Sequence, residues 1–105
     1  MGLDHGLRQA EEDIIDWHSQ HQIQHWFSNL PAYEDNGVTK VTGLELKQFY
    51  TDCAITVAAK YSNYTPMHNP YDNTIWHDEG LLATLTALNQ LTILDGDEFT
   101  YWEVY

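Results

Sequence analysis

Val41-Thr42-Gly43-Leu44-Glu45-Leu46-Lys47-Gln48-Phe49-Tyr50-Thr51-Asp52-Cys53-Ala54-Ile55-Thr56-Val57 is the stretch whose reading decides the fold of this chain. Thr42 and Glu45 stand three residues apart, the spacing at which a threonine hydroxyl and a glutamate carboxyl cap each other's backbone N–H groups. They predict a helix that opens here and runs to about Tyr61. Leu46, Phe49, Tyr50, Cys53 and Val57 recur every three or four residues and define its core face. At about 100° per residue, Leu44 and Ile55 project from the opposite side. A helix that is apolar on two faces is either sandwiched between layers or part of a protein interface, and a homo-oligomer joined through Leu44 and Ile55 is one expectation.

Upstream, Leu3 to Arg8 and Asp13 to Trp17 read as short strands, and Val38 to Val41 as a third. Between them, Ser19-Gln20-His21-Gln22 also has capping-box spacing, and Ile23, Trp26, Phe27 and Leu30 follow on one helical stripe that Pro31 ends. Glu34-Asp35-Asn36-Gly37 reads as a turn. Downstream, residues 62–77 carry two Pro and four Asn with no clear period and predict a long loop. A third helix is expected to start at Asp78 or Glu79, where acids suit the positive helix end, with Leu81, Leu85 and Leu88 on its buried side and Leu82 and Leu91 beside them. After a turn at Asp95-Gly96, the aromatic and β-branched run Phe99 to Tyr105 predicts a closing strand. The expected fold is one two-layer α+β domain over residues 1–105: an antiparallel sheet of three to four short strands against about three helices.

Composition narrows the function classes. The chain has 105 residues, 43% of them apolar and 13% aromatic, enough for one modest core and too many for a disordered segment. No apolar run approaches the roughly 18 residues that would cross a bilayer. The opening residues lack the basic and apolar regions of a secretory signal, and the single cysteine cannot form an internal disulfide, so a cytoplasmic protein is expected. Sixteen acidic residues against four Lys and Arg give a net charge of −12. Charge of that sign disfavours direct binding to nucleic acid or anionic membrane and draws in basic partners and cations. Residues 61–105 hold seven of the acids and no base, which predicts that the C-terminal half forms the negative face.

Three groups could carry chemistry. His18, His21 and His25 fall opposite the Ile23-Trp26-Phe27 stripe on a helical wheel, and imidazoles one turn apart can chelate a divalent metal. The metalloprotease pattern needs Glu directly after the first His, and Gln22 stands there, so an ordinary solvated face is the alternative. His68, Asp72, His77, Asp78 and Glu79 gather imidazoles and carboxylates around the long loop without matching the spacing of any known calcium or zinc motif. Cys53 lies on a core face, where cysteines are inert. No phosphate-binding loop, nucleophile elbow or paired-carboxylate motif appears, so no catalytic residues are assigned and no cofactor is required. Tyr61, Tyr64, Tyr71 and Trp76 accompany the acids of the loop, as in a recognition surface, or else they cover the core.

The order of several motifs resembles a family of small phage and prophage proteins that open with Met-Gly-Leu-Asp. The matching residues are Met1 to Asp4, Trp17, Ile23, Trp26 and Phe27, Val41-Thr42, Cys53 and the closing Phe99 to Tyr105. The chain departs from the family pattern at Gln24, where the family has His, and at His5, where a large apolar residue is common. The resemblance implies a bacteriophage origin and action in the bacterial cytoplasm, with no established activity. Together with the charge, it points to a non-catalytic accessory protein that inhibits a host protein, such as an anti-phage defence nuclease, by offering carboxylates to its basic, nucleic-acid-binding surface. Asp72, Asp78, Glu79, Asp95, Asp97 and Glu98, with Tyr71 and Trp76, are the residues expected to make that contact. The alternative is a metal- or small-ligand-binding protein built on His18, His21 and His25 or on the 68–79 loop.

Overall fold

The computed structural model describes residues 2–62 and 74–105, with side chains described outside residues 60–79. Strands β1 (Asp4–Gln9) and β2 (Glu12–His18) form a hairpin, followed by helix α1 (His21–Ser28), strand β3 (Val38–Thr42) and helix α2 (Gly43–Ser62). Helix α3 (Thr74–Asn89) and strand β4 (Glu98–Val104) complete the order. The four strands make one open antiparallel sheet in the order β2-β1-β4-β3. The fold is the expected small α+β arrangement, and its first and last strands lie together at the centre.

Strand alternation separates the two faces of the sheet. Leu7, Trp17, Val41, Phe99 and Tyr101 point inward and join Ile23 and Phe27 of α1, Leu46, Phe49, Cys53 and Val57 of α2, and Leu81 and Leu88 of α3 in one cluster. Aromatic contacts dominate its centre: Phe27 stacks on Tyr101 with ring centroids 4.2 Å apart, and Phe49 lies 4.7 Å from Phe27. Such pairs add about 0.5–1.5 kcal/mol each beyond the area they bury. The outward row Gly6, Trp102 and Val38 crosses three strands in register. Trp102 lies directly over Gly6, where an added Cβ would come 2.6 Å from the indole nitrogen, so only glycine fits there.

The two capping boxes have different fates. Thr42 and Glu45 form theirs in full: the Thr42 N–H donates to Glu45 Oε1 at 2.9 Å and the Glu45 N–H donates to Thr42 Oγ1 at 3.1 Å. Ser19 does not cap α1. Its N–H is drawn 2.7 Å from the Leu3 carbonyl, its φ is 53°, and the helix starts from Gln20 without a side-chain cap. The tertiary bond to Leu3 overrides the local signal. Helix α1 also stops at Ser28, before Leu30 and Pro31, as Asn29 and Leu30 turn back onto the Trp26 and Phe27 carbonyls.

Helix α3 starts at Thr74 and not at Asp78 or Glu79, so those acids lie past its first turn, which contains no acid. Leu81 and Leu88 are buried as expected, and the acids do not mark where the helix begins. The expected loop over 62–77 accordingly ends earlier, and the rest of that segment lies outside the described residues. Among the described residues no helix is long and apolar enough to cross a membrane.

Candidate functional site

The register of the sheet, more than the sequence order, decides where the acids meet. Arg8 pairs with Thr100 and Gln9 with Glu12, so the β1–β2 hairpin tip lies at the same end of the sheet as the start of β4. Thr42 pairs with Glu98 and brings the start of α2 to that end as well. Glu11, Glu12 and Asp13 from the hairpin therefore join Asp95, Asp97 and Glu98 from the loop into β4, with Glu45 on the first turn of α2. Four strands about 4.8 Å apart span only about 14 Å, so these carboxylates line one narrow rim.

The 94–97 loop is held against α2 by backbone bonds. The Gly43 N–H donates to the Asp97 carbonyl at 2.7 Å and the Leu44 N–H to the Asp95 carbonyl at 3.3 Å. These carbonyls and the Glu45 capping box occupy donors that a helix N-terminus would otherwise turn to solvent. The approach is so close that a Cβ at Gly43 would lie 1.7 Å from the Leu94 carbonyl oxygen. The loop and the first turn of α2 thus display one leucine each among the acids: Leu94 is 61% exposed and Leu44 50%. Apolar anchors beside charged residues have the composition of an interface core and rim.

Three bases belong to this end: Arg8 and Lys40 flank Thr100 in one cross-strand row, Lys47 lies on α2, and Arg8 and Lys47 each pair with an acid while Lys40 is exposed. Arg8 Nε donates to Asp13 at 2.6 Å while its guanidinium lies 5.2 Å from the Trp102 ring, and Lys47 Nζ donates to Asp95 at 2.7 Å. Exposed pairs of this kind contribute about 0–1 kcal/mol, but they cancel charge locally. Asp97 is also engaged, its carboxyl accepting the Leu94 N–H at 3.0 Å. Glu11, Glu12 and Glu98 are exposed rim carboxylates outside these pairs, and Asp13 and Asp95 are exposed within them.

The eight side chains expected at a partner surface are thus distributed unevenly. Asp95, Asp97 and Glu98 share the rim. Tyr71 and Asp72 lie outside the described residues, as do His68 and the loop tyrosine Tyr64, and for Trp76, His77, Asp78 and Glu79 only the helical backbone is described. That backbone is remote from the rim: Gly80 abuts Gln20, beyond the β2 end where His18 meets Asp4, while Asn89 at the far end of α3 accepts from Tyr50 Oη at 2.6 Å. The rim is not the property of the C-terminal half alone, because three of its seven carboxylates come from β2 and the turn before it and one from α2. Glu11, Glu12 and Asp13 were missed as partners of Glu98 since only strand pairing brings them together.

The three histidines do not share a helix face. His18 is the last residue of β2, on the outward side of the sheet, where its Nδ1 meets Asp4 Oδ1 at 2.8 Å. His21 and His25 belong to α1, on the opposite side, and both are exposed. A helical wheel cannot relate residues across a strand end. Among the described residues no three His, Cys, Asp or Glu side chains gather as metal ligands.

A second polar group, not anticipated from sequence, is sealed inside. His5, Tyr101 and Glu103 point inward from β1 and β4, with His5 and Glu103 directly paired, and all three are 0–1% exposed. The Gln20 N–H can only donate, so His5 Nε2 accepts it at 3.2 Å. His5 Nδ1 therefore carries the proton and donates to the Tyr101 hydroxyl at 3.1 Å. Glu103, two residues along β4 from Tyr101, faces the same side of the sheet. Glu103 accepts from Tyr33 Oη at 2.7 Å and from the Asn36 N–H at 2.8 Å, with Gln24 Nε2 at 3.4 Å. Burial lowers the His5 pKa to about 4, against the raising effect of Glu103, and burial followed by the nearby Glu103 carboxylate raises those of Tyr33 and Tyr101. This group of bonds ties the 33–36 turn to the sheet and has no access for a substrate. Cys53 is similarly enclosed, its thiol pushed up to about 12 by burial and then by Asp52.

Comparison with known proteins adds no relative: no family model, curated protein or solved structure matches the chain.

Proposed function

We propose that this chain is a non-catalytic binding protein that covers a basic, nucleic-acid-binding surface of a partner with the acidic rim of its sheet. The observation that carries the reading is the strand register, which sets seven carboxylates from three separate segments, Glu11–Asp13, Glu45 and Asp95–Glu98, at one end against three bases, Arg8, Lys40 and Lys47. Regularly spaced carboxylates on a rigid sheet can stand in for phosphates before the same Lys and Arg groups. The potential of a −12 protein adds long-range attraction to a basic body and repulsion from nucleic acid itself. The phage-protein resemblance supports a bacterial cytoplasmic setting, with a host defence nuclease as the kind of partner such a surface suits.

The test is capture of a partner from bacterial lysate, followed by binding of the purified pair. The expected partner is basic, its affinity falls steeply as salt rises from 50 to 300 mM, and it is released by competing DNA. Charge reversal at Glu11, Glu12 and Glu98 is expected to abolish binding without loss of fold, because these side chains are exposed. Binding that ignores salt, or that survives the triple reversal, would refute the proposal.

A further inference from the structure

The exposed side of α2 is a second recognition surface, continuous with the rim at Leu44. Leu44, Gln48, Thr51, Ile55 and Ala58 follow each other at spacings of four, three, four and three, and all five are exposed. That is the spacing of the seam along which one helix packs on another. The opposite side of α2, with Leu46, Phe49, Cys53 and Val57, is already buried in the core. Ile55 is 62% exposed, although on this helix it could have been polar at no cost to the core. The stripe bears no charge in a chain where 19% of residues are charged.

One of its borders is acidic. Glu45 and Asp52 flank one side, and on the other Lys47 is neutralised by Asp95. A second copy would bring another −12 of charge to this border, whereas a cationic helix would find Glu45 and Asp52 along one side of an uncharged seam. We infer that the exposed face of α2 is a docking seam for a basic amphipathic helix of the partner, with Leu44 and Ile55 as its apolar contacts. The inference rests on the reading of the chain as a binder of basic partners and names the element of the partner that would be held.

The probe is a capped, fluorescein-labelled 18-residue peptide of Leu and Lys, with Leu at helical three-four spacing, titrated at 150 mM salt. A scrambled peptide of the same composition is the control. The full chain is expected to bind the amphipathic peptide at least tenfold more tightly than the scrambled one. Ile55→Glu and Leu44→Glu are each expected to weaken that binding at least tenfold with an unchanged circular dichroism spectrum. Each adds a negative charge, so attraction by net charge alone would move affinity the other way. Equal binding of the two peptides, or undiminished binding by Ile55→Glu, would overturn the inference. So would a dimer, seen by light scattering, that Ile55→Glu dissolves, since it would assign the seam to a second copy. If the Glu variants bind normally while reversal at Glu11, Glu12 and Glu98 still releases the lysate partner, the seam fails and the rim stands.

Discussion

Acid should weaken this protein through His5, whose buried ring is bonded in its neutral form. Both ring nitrogens are committed when the ring is neutral: Nε2 accepts from the Gln20 N–H and Nδ1 donates to Tyr101. A second proton would set an N–H donor against an N–H donor in a fully buried site. The folded pKa is about 4 against 6.5 for a free imidazole, so between those values the unfolded chain binds more protons than the folded one. Stability from this residue is therefore complete above pH 6.5 and is lost as pH falls toward 4. The difference of about 2.5 pH units corresponds to about 3 kcal/mol in full, of which about 2.5 kcal/mol is gone by pH 4.5. Many carboxylates titrate over the same range, so the assay compares wild type with His5→Gln, which keeps an acceptor near Gln20 and cannot titrate. Urea unfolding of both proteins at pH 7.5 and pH 4.5 should show the advantage of wild type shrinking by about 2.5 kcal/mol on acidification. A constant advantage, one that grows in acid, or a His5 titration near pH 6.5 in the folded protein would refute the reasoning.

Two further outcomes follow from contacts of α2. Gly43→Ala puts a methyl group where the Leu94 carbonyl oxygen already lies, so either the 94–97 loop or the first turn of α2 must move. A loss of about 3 kcal/mol or more is expected in urea unfolding, where an ordinary exposed Gly→Ala change in a helix stabilises, and a neutral result would show that the loop is not clamped there. Cys53 should resist disulfide reagents at pH 8, because raising its pKa from 9.0 to about 12 cuts the thiolate population roughly a thousandfold. Labelling of the folded protein at the rate of the urea-unfolded chain would contradict its burial.

The elements that the sequence announces correctly are those whose signals and partners are close in the chain. Thr42 and Glu45 cap each other three residues apart, and the face of α2 bearing Leu46, Phe49, Cys53 and Val57 is legible from period alone. The same motif at Ser19 fails because Leu3, 16 positions away, takes its backbone N–H into a different conformation. Asp78 and Glu79 suggest a helix start four residues late, since acids suited to a helix end do not prevent the helix from extending further back. The rim was half legible: Asp95, Asp97 and Glu98 are contiguous, but their meeting with Glu11–Asp13 depends on strand order. His5 and Glu103 were illegible for the same reason, because each is a polar residue at an inward position whose justification lies at the other end of the chain.

That placement of β1 beside β4 bears on how the molecule comes into being. A ribosome delivers β1 first and β4 last, so the central pairing of the sheet cannot zip while the chain is still being translated past Asp95. Until then the nascent chain can offer only an isolated β1–β2 hairpin, which is at best marginal alone, and helices without the surface they pack on. Assembly of the sheet therefore waits for β4 and is close to all-or-none, and a premature stop anywhere before β4 removes its keystone.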